Sequence, residues 1–152
     1  MAIVDLLNRT LPAEFRCSRC PKEDGEVTFH GCSRKKTCFK TDDLVSKHAK
    51  GSDCLVGIDD KTDIILFAEL KGKSPSASEV EAQIQSIATH VGTKLAQADH
   101  PNVRVQVFCR VVSTGAPGYF LGQLKTKLIR FQHQQVRIRR VKNQLATRSL
   151  VG

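Results

Sequence analysis

The residues best placed to do chemistry stand at the end of an apolar run. Ile64-Ile-Leu-Phe-Ala-Glu-Leu-Lys71 is almost wholly apolar until it reaches Glu69 and Lys71. Side chains two apart on a strand share a face, so these two charges point the same way. A second apolar run, Cys54-Leu-Val-Gly-Ile58, is preceded by Asp53, and the polar stretch Asp59 to Asp63 joins the two runs. That pattern is a hairpin signal. A three-residue turn (Asp60, Lys61, Thr62) pairs 59 with 63, and therefore 53 with 69, setting opposed Cβ atoms roughly 4.5–5.5 Å apart. A two-residue turn pairs 53 with 68 instead. Facing carboxylates repel one another, and a divalent cation reverses the sign of that interaction. Mg²⁺ takes a few carboxylates, waters and a phosphate. A lysine on the same face can orient or help deprotonate a metal-bound water. The chemistry is metal-assisted phosphodiester hydrolysis. The competing reading is a hydrated strand end, and Asp59, Asp60 and Asp63 read as turn formers.

Cysteines offer a second constellation. Four of the six lie close together, Cys17-x2-Cys20 followed by Cys32 and Cys38. The first pair has zinc-knuckle spacing, so the four are expected to bind structural Zn²⁺, with His30 able to replace Cys32. The segment has few large apolar residues, and a metal supplies ordering energy that such a segment lacks. Unligated or disulfide-forming thiols are the alternative. Cys54 and Cys109, in strand-like runs, read as small buried hydrophobes. The remaining histidines, His48, His90, His100 and His133, form no paired motif.

Charge is distributed unevenly. The chain carries a net +9, yet residues 1–99 hold 14 Lys+Arg against 15 Asp+Glu, and residues 100–152 hold 10 Lys+Arg and no acid. Such asymmetry is the footprint of a polyanion binder, nucleic acid above all. The expected backbone contacts are Lys73, Lys125, Lys127, Arg130, Arg137, Arg139, Arg140 and Lys142. Aromatic residues are only 5%, with no Trp, so stacking on single-stranded bases is less favoured than backbone contact with a duplex, and DNA is favoured over RNA. No apolar run approaches the roughly 18–20 residues of a membrane span. Met1 to Asn8 carries Asp5 and no small-residue cleavage site, which predicts a cytoplasmic or other intracellular protein.

The elements that must position these groups follow from periodicity. Residues 2–9 read as a helix, and 41–51 as a short one opened by Thr41. Strand 26–30 follows a turn at Asp24-Gly25. Val80, Ile84, Ile87, Val91 and Leu95 recur at helical spacing, with Ser76/Glu79 and Ser78/Glu81 competing as capping boxes. Residues 102–113 alternate as a strand. A helix is expected over 119–131 and a short basic strand over 136–141. One domain over 1–152 is expected, with a Cys-rich metal-binding insertion at 16–39 and a basic C-terminal extension at 119–152.

Asp53 followed by Glu69-Leu70-Lys71 at a strand end, within the order helix, strand, hairpin, helix, strand over about residues 40–113, resembles the PD-(D/E)XK nuclease superfamily. The resemblance implies an α/β, restriction-endonuclease-like fold, a central mixed β-sheet flanked by helices. It implies Mg²⁺ or Mn²⁺ held by Asp53, Glu69 and the Leu70 carbonyl, with Lys71 acting on water. A further acid on the first helix (Glu14 or Asp5) and a glutamine on the later one (Gln83 or Gln85) belong to the same pattern. Ser52 stands where the family often has proline. Some members carry an iron–sulfur cluster, which makes one the runner-up to zinc, although their cysteines are usually split between the two ends of the domain. Many small nucleases of this type pair to cut both strands, so a homodimer is compatible with the resemblance. Two rival functions are a non-catalytic, zinc-containing nucleic-acid-binding protein, and an interaction protein whose basic tail binds a partner protein.

Overall fold

The alternating and helically spaced runs assemble into an α/β architecture whose centre is a mixed, open, seven-stranded sheet. The structure, a computed structural model, describes residues 2–17, 20–22, 25–27, 35–41, 54–71, 76–113 and 118–141, with 20–22, 25–27, 70, 71 and 113 described through their backbone alone. Along the chain come α1 (Ile3–Thr10), a 3-10 turn (Ala13–Phe15), β1 (Arg16–Cys17), β2 (Cys20–Lys22), β3 (Gly25–Val27), β4 (Lys36–Lys40), β5 (Cys54–Ile58) and β6 (Asp63–Lys71). After these come α2 (Ala77–Gln97), β7 (Val105–Ser113), α3 (Gly118–Leu124), β8 (Leu128–Phe131) and β9 (Gln134–Val141). The sheet order is β1-β4-β5-β6-β7-β9-β8, while β2 and β3 pair with each other. Neighbours from β1 to β6 are antiparallel. The α2 crossover makes β7 parallel to β6, and β9 is parallel to β7.

Helix α1 buries Ile3, Val4, Leu6 and Leu7 along one side. They join the buried faces of α2 and α3 in one large cluster against Phe39, Leu55, Ile65, Phe67 and Cys109 of the sheet. Alternation sends Cys38, Cys54, Val56, Ile58, Ile64, Leu66 and Ala68 to the opposite face, where they form a second cluster built of strand residues. Among the described residues, all three helices therefore contribute to one side of the sheet.

Of the two candidate caps on α2, Ser76 is used: its Oγ accepts the Glu79 N–H at 3.4 Å. The far end closes in a Schellman arrangement, with His100 N–H bonded to the Leu95 carbonyl and Asp99 N–H to that of Ala96. Asp99 takes the left-handed conformation, φ 69°, that this closure requires.

The helix expected over 119–131 is corrected. It stops at Leu124, and Leu128–Phe131 is a strand whose burial alternates, with Ile129 and Phe131 inward. A turn at Lys125-Thr126-Lys127 ends the helix, the Thr126 hydroxyl donating to the Gln123 carbonyl. The basic strand expected over 136–141 is present as β9 and pairs with both β7 and β8. The expected helix over 41–51 lies outside the described residues, apart from Thr41. So do 28–30 of the strand expected over 26–30.

Candidate functional site

The β5–β6 hairpin positions the candidate acids. Its pairs run from Cys54 with Ala68 to Ile58 with Ile64. This is the register that a three-residue turn at 60–62 predicts. Glu69 is the next residue of β6, in register with Val111 of β7, and exposes none of its surface. It follows Ile65 and Phe67 on the helix-covered side. Leu70 and Lys71 complete the strand, paired in register with Val112 and Ser113. Asp53 and Ser52 lie outside the described residues, as does Lys73.

The aspartates of the turn have a structural task that spacing did not reveal. Asp63 Oδ2 accepts the Ile3 N–H at 3.1 Å, and Asp59 Oδ1 accepts that of Val4 at 3.0 Å. Two carboxylates from a distant hairpin thus cap the N-terminus of α1, where their charge also opposes the helix dipole. Asp60 and Asp63 bond within the turn as well. Of the acids considered for the first helix, Asp5 is exposed and paired with Lys35 at 2.8 Å, which holds its carboxyl below the usual range. Glu14 is exposed at the 3-10 turn.

Gln85 spends both ends of its amide on β8. Its Nε2 donates to the Arg130 carbonyl and its Oε1 accepts the Arg130 N–H, each at 2.8 Å. That bracket leaves Gln83, half-buried with its Oε1 enclosed, as the glutamine suited to a role near the acids.

Three cysteine sulfurs meet on the strand-only side. Cys17 and Cys38 are direct partners between β1 and β4, their Sγ atoms 3.1 Å apart. Cys54 of β5 brings its Sγ to 3.2 Å from that of Cys38. Cys17 and Cys38 are thiols, whereas Cys54 is disulfide-bonded. The neighbouring Cys17 sulfur and burial together push the Cys38 thiol far above its ordinary value. With Cys54 held in a disulfide, no group of three or more His, Cys, Asp and Glu side chains among the described residues is assembled as a metal cage. Of the expected zinc set, Cys17 and Cys38 come together; the Cys20 side chain, Cys32 and His30 lie outside the described ones. Cys54, read as a buried hydrophobe, is buried but also belongs to the sulfur group. Cys109 fits that reading: it is fully buried, and burial raises its thiol from 9.0 to about 12.

Basic residues line the β9–β8 edge. Lys125, Arg130, Arg137 and Arg139 are exposed, and Lys127 and Arg140 half-buried. Leu121, Leu124, Lys125, Arg137, Arg139 and Arg140 border a groove of ≈ 560 Å³ between α3 and β9. Arg137 is fixed there by donating to the Lys125 carbonyl at 2.8 Å. Lys127 lies 3.9 Å from Glu81. Lys142 lies outside the described residues.

Sequence reading missed Arg110. It is 5% exposed on β7, stacked 5.1 Å from the centre of the Phe108 ring, and stands in register with Arg139 of β9. Burial and, secondarily, Arg139 press its guanidinium toward the neutral form. A positive charge inside the alternating run Val105–Ser113 was the available signal.

Comparison with family models, with curated proteins and with solved structures finds no match to this chain. No helix among the described residues is long and apolar enough to cross a membrane.

Proposed function

We propose that this protein is a metal-dependent nuclease hydrolysing phosphodiester bonds of nucleic acid, DNA in preference to RNA. The observation that carries the reading is Glu69, a wholly buried carboxylate ending an otherwise apolar central strand. Burying an ionised carboxylate costs several kcal/mol unless charge or hydrogen bonds compensate it, and a divalent cation is a strong compensator. Two features of the fold add support. The hairpin register, extended by one position, makes Asp53 the partner of Glu69. The order of a three-stranded antiparallel unit, a long helix and a parallel strand is also the one that the resemblance to PD-(D/E)XK nucleases implies.

The donors suit the ion. Carboxylate and carbonyl oxygens are hard ligands of the kind Mg²⁺ or Mn²⁺ takes, so Asp53, Glu69 and the Leu70 carbonyl would hold it. When bound, the cation supplies an activated water and neutralises charge at phosphorus. Lys71 orients that water and faces the developing negative charge, Gln83 lies on the adjoining helix, and the groove beside β9 follows the phosphate backbone. Because Glu69 is fully enclosed, cleavage also requires the strand end to open to the substrate.

The test is cleavage of plasmid DNA and of structured RNA with Mg²⁺ or Mn²⁺. Glu69→Gln, which keeps the shape of the side chain, and Lys71→Ala should each lower the rate by about 10²-fold or more, with DNA binding retained. Full activity in either variant overturns the site. If the wild type binds DNA in a salt-dependent way but cleaves nothing under any divalent condition, the protein is the non-catalytic binder instead.

A further inference from the structure

The sheet face that carries no described helix holds a group of sulfurs that apolar burial does not explain. Ordinary buried cysteines are scattered singly, as Cys109 is; here three strands each deliver one sulfur to a single point. Cys17 comes from β1, Cys38 from β4 and Cys54 from β5, with consecutive Sγ separations of 3.1 and 3.2 Å. Any disulfide between two of them leaves the third sulfur unused at the same point. We propose that Cys17, Cys38 and Cys54 form a thiolate site for a thiophilic divalent cation of the zinc class, made available when the Cys54 disulfide is reduced.

The geometry suits such an ion. Two thiolates on a tetrahedral Zn²⁺ at bond lengths near 2.3 Å stand roughly 3.7 Å apart, so the sulfurs need to separate by about half an ångström, within reach of small χ1 rotations. Cys38 and Cys54 are 6% and 2% exposed, while Cys17 is half-buried and leaves an entry for the ion. Three protein ligands leave a fourth position for water or a further donor. Sulfur ligands select against Mg²⁺, so this centre and the oxygen donors at Glu69 take different ions. The chemistry balances. The Cys54 disulfide accepts two electrons and two protons from a dithiol, whose own two sulfurs close into a disulfide. As the cation then binds, the thiol protons pass to solvent. The inference does not depend on the nuclease reading.

The experiment titrates the full-length chain with Co²⁺ alone, before and after reduction with a phosphine, which ends as its oxide. The reduced protein should show thiolate-to-cobalt charge-transfer bands saturating at an equimolar complex and bleached by Zn²⁺; the oxidised protein should not. Cys38→Ser should abolish the bands and Cys109→Ser should leave them intact. A second measurement needs no variant: the reduced wild type is alkylated with and without Zn²⁺, and the modified cysteines are mapped by mass. Protection of Cys17, Cys38 and Cys54 together supports the site. Absence of cobalt bands, equal bands in the oxidised protein, or Zn²⁺ that leaves any of the three as reactive as before overturns it.

Discussion

The two faces of the central sheet differ in what closes them. On one, α1, α2 and α3 set large side chains against Phe39, Leu55, Ile65 and Phe67, and the Phe67 ring meets that of Phe131 at 5.7 Å between centroids. On the other, the described buried residues come from strands alone and include Cys38, Cys54 and Ala68, bordered by Cys17. Arg110 alternates with Cys109 and Val111 of the helix-side cluster, so it points to the second face. Helix-on-sheet packing thus supplies most of the stability, while the strand-only face can hold thiols and a guanidinium. The lesson is that a thin sheet can assign its two sides to different tasks, because alternation decouples them residue by residue.

That contrast can be broken by matched truncations. Leu55 and Leu66 are both fully buried on adjacent strands but face opposite sides. Truncation of a buried leucine costs about 2–5 kcal/mol, more where neighbours cannot close the cavity. Leu55→Ala, beneath the helices, should fall at the upper end and Leu66→Ala at the lower, measured by urea unfolding. An equal or reversed order would end the distinction.

The buried thiol on the helix side sharpens it through pH. Burial raises Cys109 from 9.0 to about 12 in the folded state. A pKa raised on folding contributes stability that is complete below the unfolded value and is lost as pH climbs through the folded one. The stability of the wild type relative to Cys109→Ala should therefore be constant below pH 9 and decline toward pH 12. A flat difference across that window would show that the thiol is not sealed beneath the helices.

A smaller effect is expected where α1 touches the sheet. A Cβ on Gly57 would lie 2.5 Å from Leu7 Cδ1, so Gly57→Ala should destabilise by about 1–3 kcal/mol through overpacking, and Leu7→Ala in the same chain should recover part of that loss. Asp59→Ala, which strips one cap from α1, should cost about 1 kcal/mol, read by thermal melting. At the bottom of the scale, Arg139→Gln removes the like charge in register with Arg110 and should raise stability by a few tenths of a kcal/mol at low salt, an effect that salt erases.

What could be read from sequence depended on how local the interaction was. Helix α2 and strand β7 were legible because periods of 3.6 and 2 are properties of a few consecutive residues. Phe120, Leu124 and Phe131 sit close enough to helical spacing to suggest one helix over 119–131. The alternation of Leu128–Phe131 is only a strand once β9 lies beside it.

The chain by itself determined the β5–β6 register, since a tight turn leaves two strands one way to pair. It likewise determined the charge asymmetry and the placement of Glu69 at a strand end. Only the tertiary structure decided that Cys54 meets Cys38, that Asp59 and Asp63 cap a helix more than fifty residues away, and that Arg110 faces Arg139. The segments joining these partners are long, and a long connection constrains its ends so weakly that their register is set by packing across the sheet rather than by the turn.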